Sequence, residues 1–197
     1  FAEIDYLGFP FSISETFQQR NANSSIAESL IRVQEIQNLC IKNKKELVVY
    51  ISMAFGNPYG DPWNSEIALK WVKELHEKLG IKIIALADTI GVSDPENIRY
   101  MFSSLIPQFK NVEFGAHLHT TPDKWEEKVK AAWESGCTRF DGAIKGFGGC
   151  PMAADALTGN MPTEMMMGYF NKNKIVTGIN EGEFKKGMIM AAEVFPH

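Results

Sequence analysis

Residues 81–119 read IKIIALADTIGVSDPENIRYMFSSLIPQFKNVEFGAHLH, and this stretch decides the architecture. It opens with a short apolar run, Ile81 to Ala87, whose lack of polar alternation is that of a parallel strand covered on both faces. Asp94-Pro95-Glu96 then supply a cap, a first-turn proline and a first-turn acid in the order in which helices start. A second apolar run, Val112 to Leu118, closes a strand-helix-strand unit.

The same unit repeats on either side. Further strands are expected near Ile4 to Phe9, Leu47 to Ala54 and Arg139 to Ile144, with starts spaced by about 30 residues from the second strand onward. Ser25-Ile26-Ala27-Glu28 reads as a capping box opening a helix to about Lys42, and Pro122-Asp123-Lys124-Trp125 opens another. Helices are also expected from Asn64 to Lys78, Met161 to Asn171 and Glu181 to Glu193, with Gly80, Gly136 and Gly178 placed where helices stop. Such a repeat builds either a (β/α)8 barrel or a doubly wound sheet. Asp88, His117, His119 and the Cys150 loop gather polar groups at the C-terminal ends of successive strands, which favours the barrel. No Gly-rich fingerprint follows the first strand. The reading is therefore α/β, a partial (β/α)8 TIM barrel of the last five strand-helix units plus a C-terminal helix. Residues 1–197 form a single catalytic domain in this reading, and the N-terminal strands are expected to be missing, because Phe1 leads at once into a strand.

With 45% hydrophobic residues over 197 positions the chain can bury a substantial core. A net charge of -4, with 20 Lys and Arg scattered along the chain, argues against nucleic acid as the main partner. No apolar run approaches the roughly 20 residues that span a bilayer, and no secretion signal is visible. A protein of a bacterial cytoplasm or a mitochondrial matrix is expected. Cys40, Cys137 and Cys150, odd in number and irregular in spacing, argue against a disulfide framework.

Chemistry concentrates in four places. His117 and His119 stand two apart at a strand end, so both rings point to one face and can close on one divalent ion. The alternative is one core and one surface histidine. Cys150, in Gly148-Gly149-Cys150-Pro151, is presented by a segment that can be neither regular strand nor helix, and is either a proton donor or a small apolar filler. Asn160 is placed to cap the last barrel helix or to reach a metal through its amide oxygen. Asp88 ends an apolar strand, as a turn residue or as a carboxylate aimed into a site. The Met165 to Met167 run and the four tryptophans read as packing residues.

Taken together, these segments resemble the 3-hydroxy-3-methylglutaryl-CoA lyases, metal-dependent (β/α)8 lyases related to the isopropylmalate and homocitrate synthases. The resemblance runs through Ser14-Glu15-Phe17, Asn21 to Ser24, Tyr50 to Ser52, Asn57-Pro58-Tyr59, Ala87 to Val92, His117-Leu118-His119, Gly146 to Pro151 and Gly159 to Glu164. The Gly-Gly-Cys-Pro loop separates the lyases from the synthases. The resemblance implies a divalent cation, Mg or Mn, on His117, His119 and Asn160, with Cys150 exchanging a proton with an acyl-CoA substrate and Asp88 in the site. It further implies cleavage to acetyl-CoA and acetoacetate, as in leucine breakdown or ketone-body formation, and a homodimer for the complete protein. The family's first-strand Arg-Asp-Gly motif has no counterpart here, and Thr120 stands where the family commonly has an acid. The alternatives are therefore a related acetyl-CoA-condensing synthase or a 197-residue piece that is inactive by itself, the outcome expected of the isolated chain.

Overall fold

The computed structural model describes residues 3–149 and 158–195. Its strands are β1 (Tyr6–Ser12), β2 (Glu46–Ser52), β3 (Ile83–Ala87), β4 (Glu113–His117), β5 (His119–Thr120), β6 (Arg139–Phe140) and β7 (Gly159–Asn160). Its helices are α1 (Glu15–Ala22), α2 (Ile26–Lys42), α3 (Ser65–Lys73), α4 (Pro95–Gln108), α5 (Trp125–Glu134), α6 (Thr163–Lys172) and α7 (Glu181–Val194). Five strands make one parallel sheet in the order β1-β2-β3-β4-β6. A doubly wound sheet reverses its order at a switch point, and this one does not. The sheet is a consecutive arc of a (β/α)8 barrel.

Side-chain alternation explains how the arc is built. Val49, Ile51, Ile84, Leu86, Phe114 and Ala116 join one buried cluster with Val33 of α2, Val72 of α3, Phe102 of α4 and Val129 of α5. Val48, Ile83 and Ala85 form a separate small cluster with Tyr50 on the opposite face. On that face Pro10, Tyr50, Ala85, Gly115 and Arg139 lie in register across all five strands. Small residues in and beside this layer have a steric reason. A Cβ on Gly115 would come within 3.3 Å of both Ala85 and Arg139, and one on Gly8 within 3.0 Å of the Tyr50 ring. The next layer, toward the C-terminal strand ends, carries Ser12, Ser52, Ala87 and His117.

Helix starts follow the sequence signals. Ser25 and Glu28 form the capping box, and Asp94 accepts from the Glu96 and Asn97 amides ahead of Pro95. The stretch expected as one helix from Asn64 to Lys78 is α3 followed by a π-helical turn, Glu74–Lys78. Three expectations are corrected. The final sheet strand ends at Phe140 rather than Ile144, since Ile144–Gly146 form a 3-10 turn with Lys145 at φ 55°. Helix α6 starts at Thr163, not Met161, and its cap is Pro162, so Asn160 caps nothing and pairs as a strand residue instead. A short helix, α1, fills a segment in which none was expected; Ser14 caps it, and Asp61 accepts from the Ser14 hydroxyl and the Thr16 amide. None of the described helices is long and apolar enough to cross a membrane.

Candidate metal and active site

The pair His117 and His119 straddles the end of the sheet. His117 closes β4, while His119 leaves the parallel sheet and pairs antiparallel with Asn160 through β5 and β7. This ladder joins segments 41 residues apart and brings both imidazoles and the Asn160 amide together, with the ring centroids 5.5 Å apart. Its tightness depends on glycine. A Cβ on Gly146, at φ +67°, would sit 2.8 Å from the Asn160 carbonyl oxygen, and one on Gly159 would sit 2.9 Å from the Gly146 carbonyl oxygen.

Hydrogen bonding fixes how each group presents itself. His119 Nδ1–H donates to the Thr89 carbonyl at 2.9 Å, so Nε2 of the neutral ring carries a lone pair. The Asn160 amide nitrogen donates to the Phe147 carbonyl at 2.7 Å, which turns its oxygen toward His119. That oxygen lies 3.1 Å from His119 Nε2. Two lone pairs thus face each other, an arrangement that requires either an imidazolium or a shared cation. Burial pushes the His119 pKa down, against the hydrogen bond to Thr89, and so disfavours the imidazolium. The donor set, two imidazoles and an amide oxygen, fits a divalent metal completed by substrate and water oxygens. Among the described residues no three His, Cys, Asp or Glu side chains gather around such a point, which leaves the third protein donor to the amide.

His117 faces Asp141, with Nδ1 3.4 Å from Oδ2, and its ring meets Tyr50 edge-on at 5.4 Å. Burial acts to raise the Asp141 pKa, but the His117 ring, the nearby Tyr50 hydroxyl and the Arg139 charge together outweigh it and hold the carboxyl below its usual value. The half-buried Tyr50 hydroxyl is pushed up to about 12 by loss of solvent and by the neighbouring Asp141 carboxylate. A groove of about 850 Å³ opens beside this group, polar where Tyr50, His117 and Asp141 line it and apolar along Phe140, Met166 and Ile179.

Of the two readings open for Asp88, its hydrogen bonds match the turn residue. Its side chain is wholly buried, accepting from the Ser93 amide and hydroxyl and from Lys128 Nζ at 2.9 Å. It therefore stands behind the histidines and presents no free oxygen to the groove. Cys150 falls outside the described residues; the two glycines before it adopt φ values of 81° and 144°. Asp141, Tyr50, Thr89 and Lys128 were not anticipated as site residues. Two of them left a signal. Arg139-Phe140-Asp141 alternates, so an acid two residues past Arg139 shares its face, and Lys128 interrupts the apolar stripe of Trp125, Val129 and Ala132.

A one-directional βα arc with imidazoles at its C-terminal strand ends defines part of a (β/α)8 barrel, with the candidate site at the end where such barrels assemble theirs. The chain belongs to the HMGL-like family, whose pattern residues 2–188 match. It is 31% identical over 171 residues to a hydroxymethylglutaryl-CoA lyase of Bacillus subtilis, covering 85% of this chain and 56% of the relative. Among solved structures, a Bacillus subtilis HMG-CoA lyase superposes with a TM-score of 0.87 at 28% identity, over 96% of this chain and 63% of that one. An Acinetobacter baumannii HMG-CoA lyase in complex with coenzyme A and 3-methylmalate gives 0.78 at 29% identity, over 89% of this chain and 57% of that one. The chain spans about half the length of the curated relatives it matches.

Proposed function

We propose that the protein is a carbon-carbon lyase that cleaves 3-hydroxy-3-methylglutaryl-CoA into acetoacetate and acetyl-CoA, with Mg or Mn held by His117, His119 and Asn160. The observation that carries this reading is the opposed pair of acceptors, His119 Nε2 and Asn160 Oδ1, at 3.1 Å in a place where burial keeps the imidazole neutral. The relative solved with coenzyme A supports an acyl-CoA substrate for this chain as well.

A divalent cation bound there supplies Lewis acidity toward the hydroxyl and carboxylate oxygens of the substrate. The chain's own residues do the rest. Thr89 and Asp141 hold the two rings by their Nδ1 atoms, so that Nε2 of each is offered to the ligand. Cleavage takes the tertiary hydroxyl proton, breaks the bond between the carbinol carbon and the acetyl carbon, and leaves the electron pair on the latter. Cys150 gives its thiol proton to that carbon, and the hydroxyl proton restores the thiol. The left-handed backbone at Gly148 and Gly149 brings the chain close to Asn160 just before Cys150. Asp88 takes a positioning role through Lys128.

The test is incubation of the full-length protein with Mn²⁺ and 3-hydroxy-3-methylglutaryl-CoA, and in parallel with acetyl-CoA plus an oxo acid. Acetoacetate release in the first arm is expected, with Cys150→Ser lowering it by orders of magnitude while Mn²⁺ binding persists. Condensation in the second arm alone, or no product in either, overturns the proposal.

A further inference from the structure

The two histidines are held in different ways. His119 is deeply buried and its Nδ1–H goes to a main-chain carbonyl, a partner that no substitution of Thr89 removes. His117 is about one-third exposed, and the partner its ring nitrogen finds is the Asp141 carboxylate. Its other ring contacts, the edges of Tyr50 and His119, constrain tilt but not tautomer.

Asp141 is itself fixed. Its main-chain N–H donates to the Ala116 carbonyl at 3.0 Å, so it extends the pairing of β6 with β4 beside His117. The Tyr50 side chain approaches its carboxylate from the layer below, in space left open by Gly8. Arg139, two residues earlier on the same face, makes its ion pair with Glu113 at 3.5 Å and lies over the Tyr6 ring at 4.9 Å, so that it acts on the carboxylate through its charge and not through a contact.

We infer that Asp141, steadied by Tyr50, is a positioning residue that fixes the tautomer and orientation of His117 and directs its Nε2 to the cation. The inference rests on the metal reading proposed above. An anionic acceptor on Nδ1–H also makes Nε2 the stronger donor, and outer partners of this kind typically account for about 10- to 100-fold in metal affinity.

The test uses the full-length protein, Mn²⁺ binding followed by the signal of free Mn²⁺ in electron paramagnetic resonance, and Co²⁺ as an optical probe. Asp141→Asn is expected to raise the Mn²⁺ Kd by about 10- to 100-fold and to shift the Co²⁺ visible bands, at an unchanged far-UV spectrum. Tyr50→Phe is expected to move both readouts less, in the same direction, and carries the test should Asp141→Asn not fold. In a His117→Ala background the Asp141→Asn change is expected to alter Kd by less than about twofold, since coupled residues do not add. A wild-type Kd and Co²⁺ spectrum in Asp141→Asn, or an equal loss in the His117→Ala background, overturns the inference and leaves the metal reading standing. Absence of Mn²⁺ and Co²⁺ binding by the wild-type protein removes the metal reading, and the inference with it.

Discussion

The ammonium group of Lys128 lies 2.9 Å from the Asp88 carboxylate, with 2% and 0% of the two side chains exposed. Its remaining hydrogens go to the carbonyls of His119, at 2.8 Å, and Gly91, at 3.3 Å. A charge from α5 thus ties the strand end after β3 to the main chain of a candidate ligand.

Breaking a buried pair by removing one partner strands the other charge, at a cost of about 3–5 kcal/mol, whereas replacing both is often close to neutral. Lys128→Met is expected to lower unfolding stability by that amount, and Asp88→Asn with Lys128→Met to recover most of it. Urea unfolding midpoints check this, and equal losses in the single and double variants would contradict it.

Asn160→Leu keeps the bulk of the side chain and deletes the oxygen that faces His119. Mn²⁺ affinity is expected to drop by about tenfold or more, on the scale of losses at metal-site partners, as titration calorimetry would record. Affinity equal to wild type would remove Asn160 from the donor set.

The depressed pKa of His119 has a direction in pH. Between its ordinary value of 6.5 and the lower folded value, the unfolded chain binds more protons than the native one, so stability falls as pH drops through that window and is fully present above it. Asp141 is lowered too, and its contribution, present above 3.8, is lost only at more acid pH as the carboxylate protonates. The melting temperature of metal-free protein should therefore begin to fall near pH 6.5, and His119→Gln should flatten that part of the curve. An unbroken plateau in the wild-type protein through this window would count against it.

Gly146→Ala forces a side chain into left-handed backbone and against the Asn160 carbonyl oxygen at 2.8 Å. Strain of this kind costs about 1–3 kcal/mol, and because the crowded atom belongs to β7, metal affinity should fall together with the melting temperature. A variant that loses stability and keeps full Mn²⁺ affinity would show that the turn and the ligand are uncoupled.

Burial pushes the Cys137 thiol up to about 12 and raises that of Cys40 as well, so neither offers much thiolate near neutral pH. Iodoacetamide at pH 8 should label Cys150 first, and peptide mass mapping identifies the site. Early modification of Cys137 would mean that its pocket opens.

The strands and most helices were legible because the information is local. Buried parallel strands read as unbroken apolar runs, and Ser25, Glu28, Asp94 and Pro95 announce helix starts. Helix α1 was not legible because its sequence, ETFQQRNA, has little apolar periodicity. It is held from a distance, by Asp61 on Ser14 and Thr16 and by Gln18, which accepts from the Ser12 amide. That the two histidines lie close together could be read from their spacing alone. The pairing of His119 with Asn160 could not, since a two-residue ladder between segments 41 apart leaves no periodic trace. Asp88 stayed open between two readings for a plain reason: a carboxylate at a strand end looks the same whether it faces a substrate or a lysine, and the lysine comes 40 residues later.

The candidate ligands come from two separate hydrogen-bonded systems, His117 from the five-stranded sheet and His119 with Asn160 from the two-stranded one. A cation shared among them would act as a rivet across the seam, adding a bond where only short ladders and glycine turns now meet. Stripping it would free the Gly159–Asn160 flap before disturbing the wall, so that hydrogen exchange at those amides becomes a gauge of metal loading.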